Sequence, residues 1–184
     1  LLPADVELVV LDAVTRPCAP GAPTLLALDA AQPFGAGRPP PAGDLRMERS
    51  ALLALASHVV LVRDELAATP SRPPEVPAAF SAVASVTVPE VAYGARVALV
   101  TTLARPGRVR GALERRGVRV ARHVALPDHG GPWVGASAAR ALGGVAFDVV
   151  VATEKCRTWL PSSVRGRDVV TLGLDVTLPD ALVD

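Results

Sequence analysis

The chain has 184 residues, 50% of them hydrophobic and 20% charged, which suits one buried core and is too apolar for a disordered segment. Its formal net charge of +1 and its 3% aromatic content argue against a nucleic-acid partner, which wants a basic surface or a base-stacking platform. No apolar run approaches the roughly 18–20 residues of a membrane span. Cys18 and Cys156 have neither metal spacing nor a disulfide pattern, so a reducing cytoplasm is the expected setting. No signal peptide is visible, and the first residue is Leu1; the opening reads like the interior of a fold, as expected of a fragment or a trimmed chain.

In chain order, the run at 7–11 is Glu-Leu-Val-Val-Leu and ends at Asp12, and the run at 24–28 ends at Asp29. Prolines cluster at 17–23, 33–41 and 70–77 and mark loops. Residues 47–57 place Leu52, Leu53 and Leu55 among polar neighbours, as an amphipathic helix does. Strands are then expected at 58–62 and 96–100, the second ending at Thr101-Thr102, with the Pro-rich stretch 67–77 a loop between two sub-lobes. Residues 106–116 form a helix by pattern, with Val109, Ala112 and Leu113 on one face, Pro106 near its start and Gly117 after its end. Residues 134–142 are an Ala-rich helix closing on Gly143-Gly144. Strands follow at 147–151, running on to Thr153, and at 168–174, and a final helix begins near Pro179. Nearly continuous apolar strands alternating with helices predict an α/β fold with a mainly parallel sheet flanked by helices.

In such sheets ligands sit beyond the carboxyl ends of the strands, which singles out Asp12, Asp29, Thr101, Thr102, Thr153 and Glu154. Asp12 reads either as a carboxylate for a metal or phosphate site or as a turn-former, and Asp29 as a cap for the turn that follows. The guanidinium of Arg46 suits phosphoryl oxygens, with a surface ion pair as the alternative. His129, beside Gly130-Gly131 in a loop, can contact a phosphate or move a proton. His58 and His123 carry no partner signal. The arginines from Arg105 to Arg122 form either a solvated helix face or a patch for an anionic ligand or lipid headgroup. Cys156, next to Lys155, admits a raised thiolate fraction but lacks the context of a nucleophile.

Four patterns in order carry a resemblance. They are Leu28-Asp-Ala-Ala-Gln-Pro-Phe-Gly-Ala-Gly-Arg38 followed by Pro41-Ala-Gly-Asp-Leu-Arg46, then Arg105-Pro106 opening a helix, then Leu126-Pro-Asp-His129, then Thr153-Glu-Lys155 at a strand end. The chain resembles the tetraacyldisaccharide 4'-kinase family of lipid A biosynthesis, in its later part. The resemblance implies a P-loop-NTPase-like fold in part, in which residues 1–66 end the nucleotide and catalytic lobe, 67–80 form a loop and 81–184 form a C-terminal α/β lobe. It implies ATP and Mg²⁺, a lipid A disaccharide precursor as substrate, and peripheral contact with the cytoplasmic face of the inner membrane. By that resemblance Asp12, Arg46 and His129 are catalytic, with Asp12 also the metal ligand. Arg105 and Asp128 bind substrate, and Glu154 and Lys155 bind nucleotide.

The departures are as specific as the matches. No Walker-type loop ending Gly-Lys-Thr/Ser is present in these residues; Gly35-x-Gly37-Arg38 lacks both the lysine and the hydroxyl. Where the family carries Asp-Asp-Gly-x-Gln-His, only Asp12 survives. The family's Glu after Leu-Arg is Met47 here, with Glu48 one place late. The second His of its Asp-His-His run is Gly130, and the Asp after Thr-Glu-Lys is Cys156. A kinase lobe inactive by itself is the leading expectation. A degenerate nucleotide- or glycolipid-binding module with the same fold is the alternative, and a protein-interaction scaffold has only the proline-rich loops in its favour.

Overall fold

The structure is a computed structural model that describes residues 22–65, 76, 79–128 and 130–182. These fall into two compact units. The first takes the chain up to Arg63, the segment ending at Ala82 and the residues from Leu178; the second takes Asp64, Glu65 and Val83–Thr177.

In the first unit, strand β1 (Leu25–Asp29) pairs in parallel with β2 (His58–Asp64), and helix α1 (Arg49–Leu55) lies between them in sequence. Parallel pairing demands such a crossover. The core is small: Leu28, Phe34, Leu45, Val59 and Val76 are buried together, and Leu52 and Leu53 of α1 pack against them. The predicted strand at 7–11 lies outside the described residues, as does nearly all of the Pro-rich loop at 67–77.

The second unit contains most of the strands of the sheet. Strand β4 (Arg96–Thr101) is flanked by β5 (Arg119–Ala125) and β6 (Val149–Thr153), both parallel to it. Beyond β6 lies β8 (Arg167–Thr177), parallel to β6 over its first half. The second half of β8 pairs antiparallel with Val83–Thr87 of β3 (Phe80–Thr87), and the short β7 (Ser163–Val164) forms a hairpin with its start.

Alternation along β4 and β6 decides which side chain enters which core. Val97, Leu99, Val149 and Val151 face helix α2 (Pro106–Arg115), whose Val109 and Leu113 complete one cluster. Ala98, Val100, Val150 and Ala152 face the other way, against Val134 and Ala138 of helix α3 (Val134–Ala141) and Cys156 of α4 (Glu154–Arg157). The central strands are thus covered on both faces, which is why they read as unbroken apolar runs. Each fully buried Val or Leu here stabilises the fold by about 1.5–3 kcal/mol.

Helix α2 begins at Pro106 and stops at Gly117, which has φ +80°; the Val118 N–H returns to the Leu113 carbonyl at 3.1 Å. This is the glycine-terminated end the sequence predicted. The helix-face reading of the arginines holds only as far as Arg116. Arg119 and Arg122 stand on β5, an outer strand of this sheet, where charged side chains discourage further strand pairing.

Candidate functional site at the strand ends of the second unit

The loop after β4 leads to α2 on one face of the sheet, and the loop after β6 leads to α4 on the other. The two strands are hydrogen-bonded neighbours. Their adjacent carboxyl ends therefore form a topological switch point, where the departing loops diverge and leave a crevice.

The chemistry gathers at this edge. Thr102 follows β4 and Thr153 ends β6. Both are essentially fully buried, and their hydroxyl oxygens have no hydrogen-bond partner. A buried hydroxyl without a partner costs about 1–3 kcal/mol, and these two stand at the ends of hydrogen-bonded neighbouring strands. Burial raises the pKa of the neighbouring Cys156 thiol, and Thr102 beside it opposes that rise.

At the same edge, Lys155 Nζ donates to Asp128 Oδ1 at 2.6 Å. Asp128 follows β5 and Lys155 opens α4, so the pair joins the ends of the two strands that flank β4. Both side chains remain partly exposed. The lysine is held in place without being withdrawn from solvent. Arg105, exposed, sits at the N-terminal boundary of α2 on the same edge, and Glu154 is exposed beside Lys155.

Neighbouring side chains are structural. Thr101 Oγ1 and His123 Nε2 lie 2.9 Å apart, giving His123 the partner that its sequence context did not suggest. Burial, then the nearby Arg110 charge, pushes the His123 pKa below 6.5. Burial pushes the Cys156 thiol up. The expectation of a raised thiolate fraction at Cys156 is therefore reversed, because Lys155 turns to Asp128 and the sulfur enters the core.

Gly130 adopts φ +51°, and a Cβ built there would lie 2.8 Å from Trp159 Cδ1. Where the family motif carries its second histidine, this chain has a glycine roofed by an indole.

In the first unit, the motif from Asp29 to Arg46 folds as a self-bonded loop. Asp29 Oδ1 accepts the Ala31 N–H at 2.9 Å, capping the turn as expected, and Asp44 Oδ1 accepts the Ala36 N–H at 2.9 Å. Gly35 (φ +51°) lies directly under the Asp44 carboxylate. Phe34 and Leu45 anchor the loop in the core, and the Arg49 guanidinium sits 4.6 Å from the Phe34 ring centre. Arg46 follows Leu45 and is exposed.

Asp12 and His129 lie outside the described residues. The structure thus brings Asp128 and Lys155 into contact, places Arg105 and Glu154 on their edge, and puts Arg46 in the other unit. No group of three or more His, Cys, Asp or Glu suited to a metal occurs among the described residues.

Residues 23–183 match the family described as Tetraacyldisaccharide-1-P 4'-kinase. The chain belongs to that family. No curated protein is matched by sequence comparison. Among solved structures the chain is similar to the "apo" form of LpxK from Aquifex aeolicus in complex with ATP, with a TM-score of 0.51 and 19% identity. That likeness covers 88% of this chain and 50% of the Aquifex chain, so this chain spans about half the length of that relative. At this identity the structural match establishes the α/β fold, with its mostly parallel sheet and flanking helices.

Proposed function

We propose that this chain is the later part of a lipid A 4'-kinase, which moves the γ-phosphoryl group of ATP to the 4'-hydroxyl of a lipid A disaccharide-1-phosphate. Family membership carries the reaction class. The observation that supports the site is the Asp128–Lys155 pair, which joins two separate family motifs at the strand ends that also carry two unsatisfied threonine hydroxyls. ATP fits the donor set: Lys155 supplies a cation for a phosphate, and Thr102 and Thr153 supply hydroxyls that lack partners. When bound, ATP supplies the phosphoryl group and Mg²⁺ neutralises phosphate charge.

In this proposal Asp128 orients the Lys155 ammonium toward the nucleotide and contacts substrate beside Arg105. Glu154 borders the nucleotide. Arg46 offers a guanidinium to phosphoryl oxygens, His129 handles the proton and Asp12 serves as the metal carboxylate. Positioning and electrostatics do most of the work in phosphoryl transfer. None of the helices among the described residues is long and apolar enough to cross a membrane, and we place the protein at the cytoplasmic face of the inner membrane as a peripheral protein.

Gly130 favours a second reading. With Trp159 occupying the space a side chain would need, the chain keeps a binding site while the chemistry is lost. Calorimetric titration with ATP tests the shared element. Binding that Lys155→Met weakens about tenfold, the loss of one charge-assisted contact, supports the site, and equal binding by both proteins refutes it. Binding without turnover of tetraacyldisaccharide-1-phosphate is expected of these 184 residues under either reading, because they contain no Walker-type loop; turnover would refute the second reading.

A further inference from the structure

The opposite ends of the same strands carry a polar cavity. It has a volume of about 240 Å³ and is lined by Arg96, Val145, Ala146, Phe147, Arg165 and Arg167. Arg96 starts β4, Phe147 precedes β6 and Arg167 starts β8, so the cavity lies at the amino edge of the parallel strands. The volume is below the roughly 300 Å³ at which pockets for drug-sized ligands begin, and it suits a small anion with its waters.

Two features separate this cavity from a chance cluster of surface arginines. The first is how the charges are arranged. Asp148 takes a two-pronged contact from Arg96, with Nε to Oδ2 at 3.0 Å and Nη2 to Oδ1 at 2.7 Å, and also the Arg96 backbone N–H at 2.8 Å. These hydrogen bonds, with the nearby Arg167 charge, hold the Asp148 carboxyl well below the usual range. The fork uses two of the five guanidinium N–H groups of Arg96 and leaves three. The Arg165 and Arg167 side chains make no hydrogen bond or salt bridge among the described residues. Three guanidinium charges against one carboxylate leave a surplus of two, which matches the charge of a phosphate monoester near neutral pH.

The second feature is the backbone of Arg165. It forms the β7–β8 turn with Gly166, at φ +53° and +73°, and is the one non-glycine residue at positive φ among the described residues. A two-residue hairpin turn of this kind favours Asn, Asp or Gly at that position. An arginine is sterically disfavoured there, and strain of this kind concentrates at binding sites. The side chain reaches back over Gly143, where an added Cβ would lie 3.9 Å from Arg165 Nη1.

We propose that Arg96, Arg165 and Arg167 form a binding site for a phosphate monoester, at the edge of the sheet opposite the nucleotide-binding ends. The test is a ¹H–¹⁵N NMR titration of the chain with inorganic phosphate, against sodium chloride of equal ionic strength. Phosphate is expected to shift the amides of residues 145–148 and 163–168 with a Kd near ~1 mM. Arg165→Gly suits the turn backbone and keeps the fold, and it should weaken binding about tenfold; Arg167→Gln should do likewise. Shifts that chloride reproduces, that are confined to Thr102 and residues 153–156, or that both variants retain would overturn the proposal, as would no response at all. Vesicles of phosphatidylglycerol in phosphatidylcholine identify the source. Retention lost in both variants assigns the site to a lipid headgroup phosphate, and free-phosphate binding without retention assigns it to a soluble monoester.

Discussion

Replacing Gly130 by alanine isolates what separates this chain from the motif of its family. The glycine sits at φ +51°, where a Cβ costs about 1 kcal/mol relative to glycine. That Cβ would also lie 2.8 Å from Trp159 Cδ1 and 3.0 Å from its Nε1, so the indole must move. Overpacking costs about 1–3 kcal/mol, and the low end applies because Trp159 is 38% exposed and can swing outward. The sum is about 2–3 kcal/mol, or a fall in Tm of about 4–12 °C for a chain of this size. Urea denaturation followed by far-ultraviolet circular dichroism avoids the optical effect of moving a tryptophan. In a Trp159→Ala background only the backbone cost of about 1 kcal/mol should remain, leaving a coupling of about 1–2 kcal/mol. A Gly130→Ala cost below ~0.5 kcal/mol, or one equal in both backgrounds, refutes the reasoning. Gly130→His carries the same penalties, so restoring the family residue alone is expected to lower stability and not to create activity.

Thr153→Val removes a buried hydroxyl that has no partner in the free protein; thermal denaturation should show stability unchanged or raised by up to about 1 kcal/mol, while ATP affinity falls. A loss above ~1 kcal/mol would mean that the hydroxyl is satisfied without ligand. His123 is held neutral in the fold, with its pKa below the ordinary 6.5. Its contribution is therefore complete above 6.5 and is lost as pH falls from 6.5 through the lower folded value, because the unfolded chain takes up the proton first. A stability–pH profile of His123→Gln should lack that decline over the same window.

Much of the fold was legible because burial on both faces writes itself into sequence. Val97–Val100 and Val149–Val151 are runs whose every residue enters one core or the other, and they read directly as parallel strands. Strand β5 did not. As an outer strand it buries only Val124 fully and exposes Arg119 and Arg122, so its arginines merged with those of α2. Strand β3, mostly half-buried and mixing Ala and Ser with Val, left a similarly weak pattern. The strand-end rule singled out Thr102, Thr153 and Glu154 from position alone. It could not find the contact between Asp128 and Lys155, which are 27 positions apart and meet only because β5 and β6 flank the same strand. The arginine cavity was hidden for the same reason, since its residues come from three segments aligned by strand register.

The carboxyl edge of β4, β5 and β6 is the proposed nucleotide site, and an amide-resolved NMR titration of the chain with ATP tests it most directly. ATP should shift Thr102, Asp128 and residues 153–156, and Lys155→Met should raise the ATP concentration needed at those amides about tenfold while leaving residues 145–148 undisturbed. Shifts absent from that edge, or unchanged in the Lys155→Met variant, would contradict it.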